Sequence, residues 1–148
     1  MATRPIEKEI DVDAPREKVW DVLTGEATYP QWTAAFGEDS TAETDWQEGG
    51  TVRFLGADGT GLLGRVVTSR RPELLDIEYT GVVGGGQDDT TSEQALLWAG
   101  THETYRLTEA DGRTHLAVSA PMEDAYYDDM AEAWDRALAR VEELAEGR

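Results

Sequence analysis

The sequence predicts an α+β fold: a curved antiparallel β-sheet of about six to seven strands around a long C-terminal helix, with two short helices after strand one. Three observations carry this expectation. Short runs bounded by turn residues fill the middle of the chain. A helical signal appears early, directly after the first alternating run. The final stretch repeats apolar side chains at spacings of three and four.

The first strand is RPIEKEIDVDA. Ile6, Ile10 and Val12 share one face and Glu7, Glu9 and Asp11 the other, which is the pattern of a half-buried strand. Pro15 suits the first turn of the helix that follows, because its missing N–H has no partner there anyway. Asp13 or Ala14 is the expected cap, Asp being the better capping residue. Val19, Trp20 and Leu23 fall on one helical face, and Gly25 ends the helix. Trp20 is expected to pack near the strand–helix junction, against edge strands of the sheet. A second short helix or turn runs through ATYPQWTAAF, interrupted by Pro30.

TAETDW, GTVRFLG, GLLGRVVTSRR, LLDIEYTGVV, THETYRLTEA and RTHLAVSA read as strands. Their connectors, including Ala57-Asp58-Gly59, Arg71-Pro72-Glu73 and Ala110-Asp111-Gly112, read as hairpin turns. Residues 84 to 95, GGGQDDTTSEQA, read as a long polar loop, functional or mobile. The last helix spans roughly Glu123 to Glu146, with Tyr127, Met130, Trp134, Leu138 and Val141 on its apolar stripe. The apolar face of an antiparallel sheet must be covered, and only this helix is long enough to do so. A strongly twisted sheet wrapped around a helix leaves a space between them.

The chain has 148 residues, the length of a single domain covering positions 1–148. It has no cysteine, in keeping with a cytoplasmic protein. Its N-terminus lacks the apolar stretch of a signal peptide, and no run approaches the ~18 apolar residues of a membrane-spanning helix. Asp and Glu number 31 against 13 Lys and Arg, a net charge of −18. Such a surface repels phosphate backbones and anionic lipid, so neither nucleic acid nor membrane is an expected partner. The acidity fits a salt-rich, halophilic cytoplasm, where self-repulsion is screened. An acidic protein from a high-GC genome, favouring Arg over Lys, is the other reading.

Certain residues resemble a known family. They are Ala14-Pro15 with Val19-Trp20, Trp32, the Gly49-Gly50 turn, Gly64-Arg65-Val66 with Pro72 and Leu75, and Trp134 with Leu138. Together they resemble the START-like helix-grip (SRPBCC) superfamily over about residues 5 to 145. The closer likeness is to the branch named after the activator of Hsp90 ATPase, similar to polyketide cyclase and dehydrase proteins. The resemblance implies a helix-grip fold. It allows three functions: a binding protein for a small apolar, aromatic or lipid-like ligand, a cyclase/dehydrase-like enzyme, or a chaperone partner. The extreme acidity and the segment 84 to 95 depart from the family.

Strand parity selects the residues that face such a pocket. Leu75, Ile77 and Tyr79 share a face, as do Glu103, Tyr105 and Leu107. Lys8 and Glu103 are charged residues at inward positions. Lys8 reads as an edge residue whose stem snorkels to water. Glu103 is either a pocket acid or a rim residue paired with an arginine. With Tyr105 it forms the candidate catalytic pair. The expected ligand-binding set adds Trp32, Phe54, Tyr79 and Trp134 as aromatic walls, and Met122, Tyr127 and Met130 towards the last helix. His102 and His115 point outward, and no zinc, dinucleotide or P-loop spacing is present. No metal or cofactor is expected.

Overall fold

The computed structural model describes residues 2–147. Strand β1 (Thr3–Val12) leads into helices α1 (Arg16–Thr24) and α2 (Tyr29–Thr33). Strands β2 (Thr41–Glu43), β3 (Thr51–Leu55), β4 (Gly61–Arg70), β5 (Leu74–Gly84) and β6 (Gln87–Asp89) follow. A short helix α3 (Glu93–Trp98) precedes β7 (His102–Ala110) and β8 (Arg113–Glu123). A 3-10 turn (Asp124–Tyr126) then opens helix α4 (Tyr127–Glu146). Among the described residues eight strands form one antiparallel sheet, ordered β1-β8-β7-β5-β4-β3-β2, with β6 hanging from β5.

The curled sheet and the long last helix are those the alternation and the apolar stripe predict. Leu75, Ile77 and Tyr79 are buried on one face of β5, and Tyr105 and Leu107 on that of β7. Helix α4 lies across this face, touching β1, β8, α1 and α2. Ala133, Trp134, Ala137, Leu138, Val141 and Ala145 are its buried residues.

The turn from β1 into α1 is held from two sides. Thr114 Oγ1 donates to the Ala14 carbonyl at 2.7 Å, and the Asp13 N–H donates to Glu146 Oε2 at 2.8 Å. These bonds tie the chain's entry into helix to β8 and to the last turn of α4. Pro15 precedes the helix, and its carbonyl accepts from Lys18 and Val19. No side chain caps this end, so neither Asp13 nor Ala14 has the capping role that the residue types predict. Trp20 is buried, but its helix packs mainly on α4 and reaches β7 and β8, the covered middle of the sheet and not its rim.

Four further boundaries differ from expectation. Pro30 stands in the first turn of α2, where it starts the helix instead of interrupting it. The run TAETDW keeps strand geometry only to Glu43, and Trp46 takes a left-handed φ of 59°. Residues 84 to 95 are built, not loose. Gly85 and Gly86, with φ of 58° and 76°, make a tight turn into β6. The Ser92 side chain then accepts from the Ala95 N–H and starts α3. Finally, β8 runs on to Glu123, because β1 pairs with it from Val12↔Thr114 to Thr3↔Glu123. Ladder bonds with β1 hold the backbone extended there, so α4 begins later than its apolar stripe implies.

Glycine matters most where β5 and β6 meet. A Cβ on Gly81 would lie 2.1 Å from the Asp89 carbonyl oxygen, a backbone atom that cannot swing away. Gly81→Ala is therefore expected to cost about 1–3 kcal/mol, lowering Tm by roughly 2–4 °C per kcal/mol. Gly84→Ala, whose Cβ meets nothing within 4 Å, should shift stability by less than about 0.5 kcal/mol. Paired thermal melts check both; equal Tm values for the two variants would contradict the packing.

Candidate functional site

Each central strand carries apolar core at one end and cavity wall at the other. On β3 the sequence runs from Val52 to Phe54, on β4 from Val66 back to Leu62, and on β5 from Leu75 and Ile77 to Tyr79. On β7 it runs from Leu107 back to Tyr105 and Glu103, and on β8 from Leu116 and Val118 to Ala120 and Met122. The first-named residues all belong to the main core. The last-named line a cavity of about 270 Å³. Helix α4 repeats the division, with Leu138 and Val141 in the core and Met130 and Trp134 over the cavity.

Most of the remaining aromatic wall comes from α2 and the turn after it. The elbow before it is tight: a Cβ on Gly25 would meet the Asp21 carbonyl and Thr28 Oγ1, both at 2.5 Å. Thr28 Oγ1 donates to the Val22 carbonyl at 2.7 Å, and the Tyr29 N–H donates to Gly25. This folds Tyr29, Trp32 and Phe36 onto the cavity. Their rings interlock with those of the sheet and α4. Tyr29 stacks on Phe54 at 6.1 Å, and Phe36 meets Trp134 edge-on at 4.8 Å. Trp32 lies 6.2 Å from Trp134 and 6.5 Å from Tyr105. The indole Nε1–H of Trp32 is buried and has no hydrogen-bond partner.

The polar pole is Glu103. Tyr79 donates its hydroxyl to Glu103 Oε1 at 2.6 Å, and Tyr105 donates to Oε2 through a short bond. Strand geometry explains the triad. Glu103 and Tyr105 are two apart on β7, so they share a face. Glu103 pairs with Ile77, which makes Tyr79 its diagonal neighbour. Burial raises the Glu103 pKa, while the two phenol bonds pull the other way. Burial, and then the Glu103 charge, push the Tyr79 and Tyr105 hydroxyls well above the ordinary tyrosine value. Tyr29 is raised by the same two causes in the same order. All three phenols therefore remain protonated donors around neutral pH. Among the described residues Glu103 forms no ion pair, and it is the only charged side chain on the cavity wall.

Of the residues chosen from sequence, Trp32, Phe54, Tyr79, Glu103, Tyr105, Met122, Met130 and Trp134 come together around this space. Tyr127 does not. Its hydroxyl donates to the Pro5 carbonyl at 3.0 Å, and its ring lies 3.6 Å below the Arg4 guanidinium, at the β1 side of α4. Glu103 sits against two tyrosines, not an arginine. Lys8 reaches from β1 to Asp135 on α4 at 3.0 Å. His102 and His115 pair with surface carboxylates, and the described residues hold no cluster suited to a metal ion. Sequence reading missed Tyr29 and Phe36. Their spacing with Trp32, at i, i+3 and i+7, was the available signal, although Phe36 lies in the turn beyond α2.

Residues 13–146 match the family model described as Activator of Hsp90 ATPase homolog 1-like protein. No curated protein matches the sequence. Among solved structures, CalU16 from Micromonospora echinospora is similar, with a TM-score of 0.67 and 20% identity over 98% of this chain and 76% of that one. The protein MLL2253 from Mesorhizobium loti gives 0.73 and 16%, covering 97% of both chains. The Aha1 dimer from Colwellia psychrerythraea gives 0.71 and 15%, over 97% of this chain and 96% of that one. At these identities the likeness carries the fold and not the activity.

The raised Glu103 pKa has a consequence for stability. An acid whose pKa is higher in the fold contributes stability below its unfolded value, here 4.5, and loses it as pH rises through the folded value. Glu103→Gln mimics the protonated acid. It should melt above wild type at neutral pH, and the gap should close as pH falls into the ordinary glutamate range. Melting curves across that window check this; equal melting at neutral pH would contradict it.

Proposed function

The chain belongs to the Activator of Hsp90 ATPase homolog 1-like family, and we propose that it binds a small apolar or aromatic molecule in the cavity between sheet and α4. One observation carries this reading: an aromatic-walled space in which two phenol hydroxyls, those of Tyr79 and Tyr105, converge on the Glu103 carboxylate. Ligand pockets have this composition, with broad apolar walls for affinity and few polar groups for orientation. At about 270 Å³ the space falls just below the usual range of roughly 300–1,000 Å³. It favours compact one- or two-ring compounds.

The hydrogen-bond pattern supports binding over proton transfer. Both phenols donate to Glu103 and are held protonated. A carboxylate braced in this way is a fixed acceptor, aimed at whatever enters.

A library of small aromatic and lipid-like compounds, screened by ¹H–¹⁵N correlation spectra, tests the proposal. Binding should shift the indole N–H signals of Trp32 and Trp134 together with the amides of Tyr79 and Tyr105. Ala120 is buried on the cavity wall, so Ala120→Leu should fill the space and weaken any hit by about tenfold or more. Shifts confined to other surfaces, or affinity untouched by Ala120→Leu, would overturn the reading.

A further inference from the structure

Glu103 lacks a countercharge. Its two oxygens each accept one phenol hydrogen, and no Lys, Arg or His pairs with it among the described residues. Nor does any basic side chain among the described residues line the cavity. Even half-buried, a carboxylate without an opposite charge loses hydration at a cost, and that desolvation raises its pKa. The two phenol bonds suit an anion: a protonated acid would have to turn its own proton towards a hydroxyl that now donates to it. Two tyrosines thus stabilise a charge that no cation among the described residues neutralises.

The walls around it have one more property. Aromatic faces attract cations, indole most strongly. Trp32 and Trp134 line the space with Tyr29, Phe36 and Phe54. The Tyr105 ring, whose hydroxyl holds Glu103, lies 6.5 Å from Trp32 and 6.3 Å from Trp134. Carboxylate and aromatic cluster are therefore neighbours within one cavity. The chain's net charge of −18 also concentrates cations around it. An anionic ligand would meet a like charge and, among the described residues, no basic partner.

We propose that the ligand of this cavity is an organic cation, an aryl or alkyl ammonium whose charged nitrogen lies against Glu103 and whose apolar part lies among Trp32, Phe36 and Trp134. This rests on the cavity being a binding site, and adds the class of molecule it takes.

Phenyltrimethylammonium and its neutral carbon isostere, tert-butylbenzene, separate the two ideas. Both are titrated into the full chain and followed at the Trp32 and Trp134 indole signals. About 0.5 M KCl is present throughout, where a Debye length of only a few Å removes attraction by the acidic surface. The cation should bind about tenfold tighter or more than the isostere. Glu103→Gln should abolish that preference, bringing the two affinities within about twofold of each other. Equal or tighter binding of tert-butylbenzene to wild type overturns the cation inference and leaves the cavity reading intact. Binding of neither compound at these indoles overturns both. A preference that survives in Glu103→Gln overturns the assignment to this carboxylate. Should that variant fail to fold, the isosteric pair on wild type still decides the charge preference.

Discussion

One constraint governs this molecule: a curled antiparallel sheet has a single apolar face, and one helix covers it. Helix α4 lies over that face on the β1 and β8 side, with α1 and α2 beside it, and packs it unequally. At its C-terminal half Leu138, Val141 and Ala145 pack into the main core. At its N-terminal half Met130 and Trp134 stand over open space. The filled half is also the anchored one. There the Glu146 carboxylate accepts from Asp13, and Thr114 holds Ala14. Stability and vacancy are thus separated along one axis, and the core can be densely packed without closing the cavity.

Within that space the chemistry is concentrated in one place. Most of the wall is ring and methyl, which favours desolvated partners and strengthens any charge inside. Glu103 is held by hydroxyls from its own strand and from the neighbouring one. Both tyrosines rise from paired strands, Tyr105 opposite Val118 on β8 and Tyr79 opposite Gly64 on β4. The carboxylate is therefore preorganised, and its direction does not depend on a loop. The aromatic wall opposite comes from α2 and the turn after it, positioned by the close approach of Gly25 to Asp21 and Thr28. Two local devices, a strand pair and a helix elbow, build the two halves of the site independently.

The sequence made some of this legible and hid the rest. Parity placed Tyr79, Glu103 and Tyr105 on one face because a strand's period of two is unambiguous wherever the face is buried. The apolar stripe of α4 was equally plain, but its starting point was not. A strand and a helix compete for residues 121–123, and only the long-range partner β1 decides between them. Tyr127 was misplaced for the same reason: its position on α4 fits the stripe, yet the helix begins too close to β1 for that ring to reach the cavity. The segment at 84 to 95 looked like a loop because its glycines and polar residues dominate its composition. Its order comes from φ-positive Gly85 and Gly86 and from the Ser92 cap, which are local signals that composition obscures. That Glu103 faces tyrosines instead of an arginine depends on β5–β7 register, which no single strand contains.

The central claim is that Glu103 is an unneutralised carboxylate awaiting a positive partner. The most direct measurement is its side-chain carboxyl ¹³C shift, titrated with pH in the free protein and again with phenyltrimethylammonium bound. The account predicts a midpoint above the ordinary glutamate range in the free protein, falling when the cation is present. An ordinary midpoint in both states would contradict it.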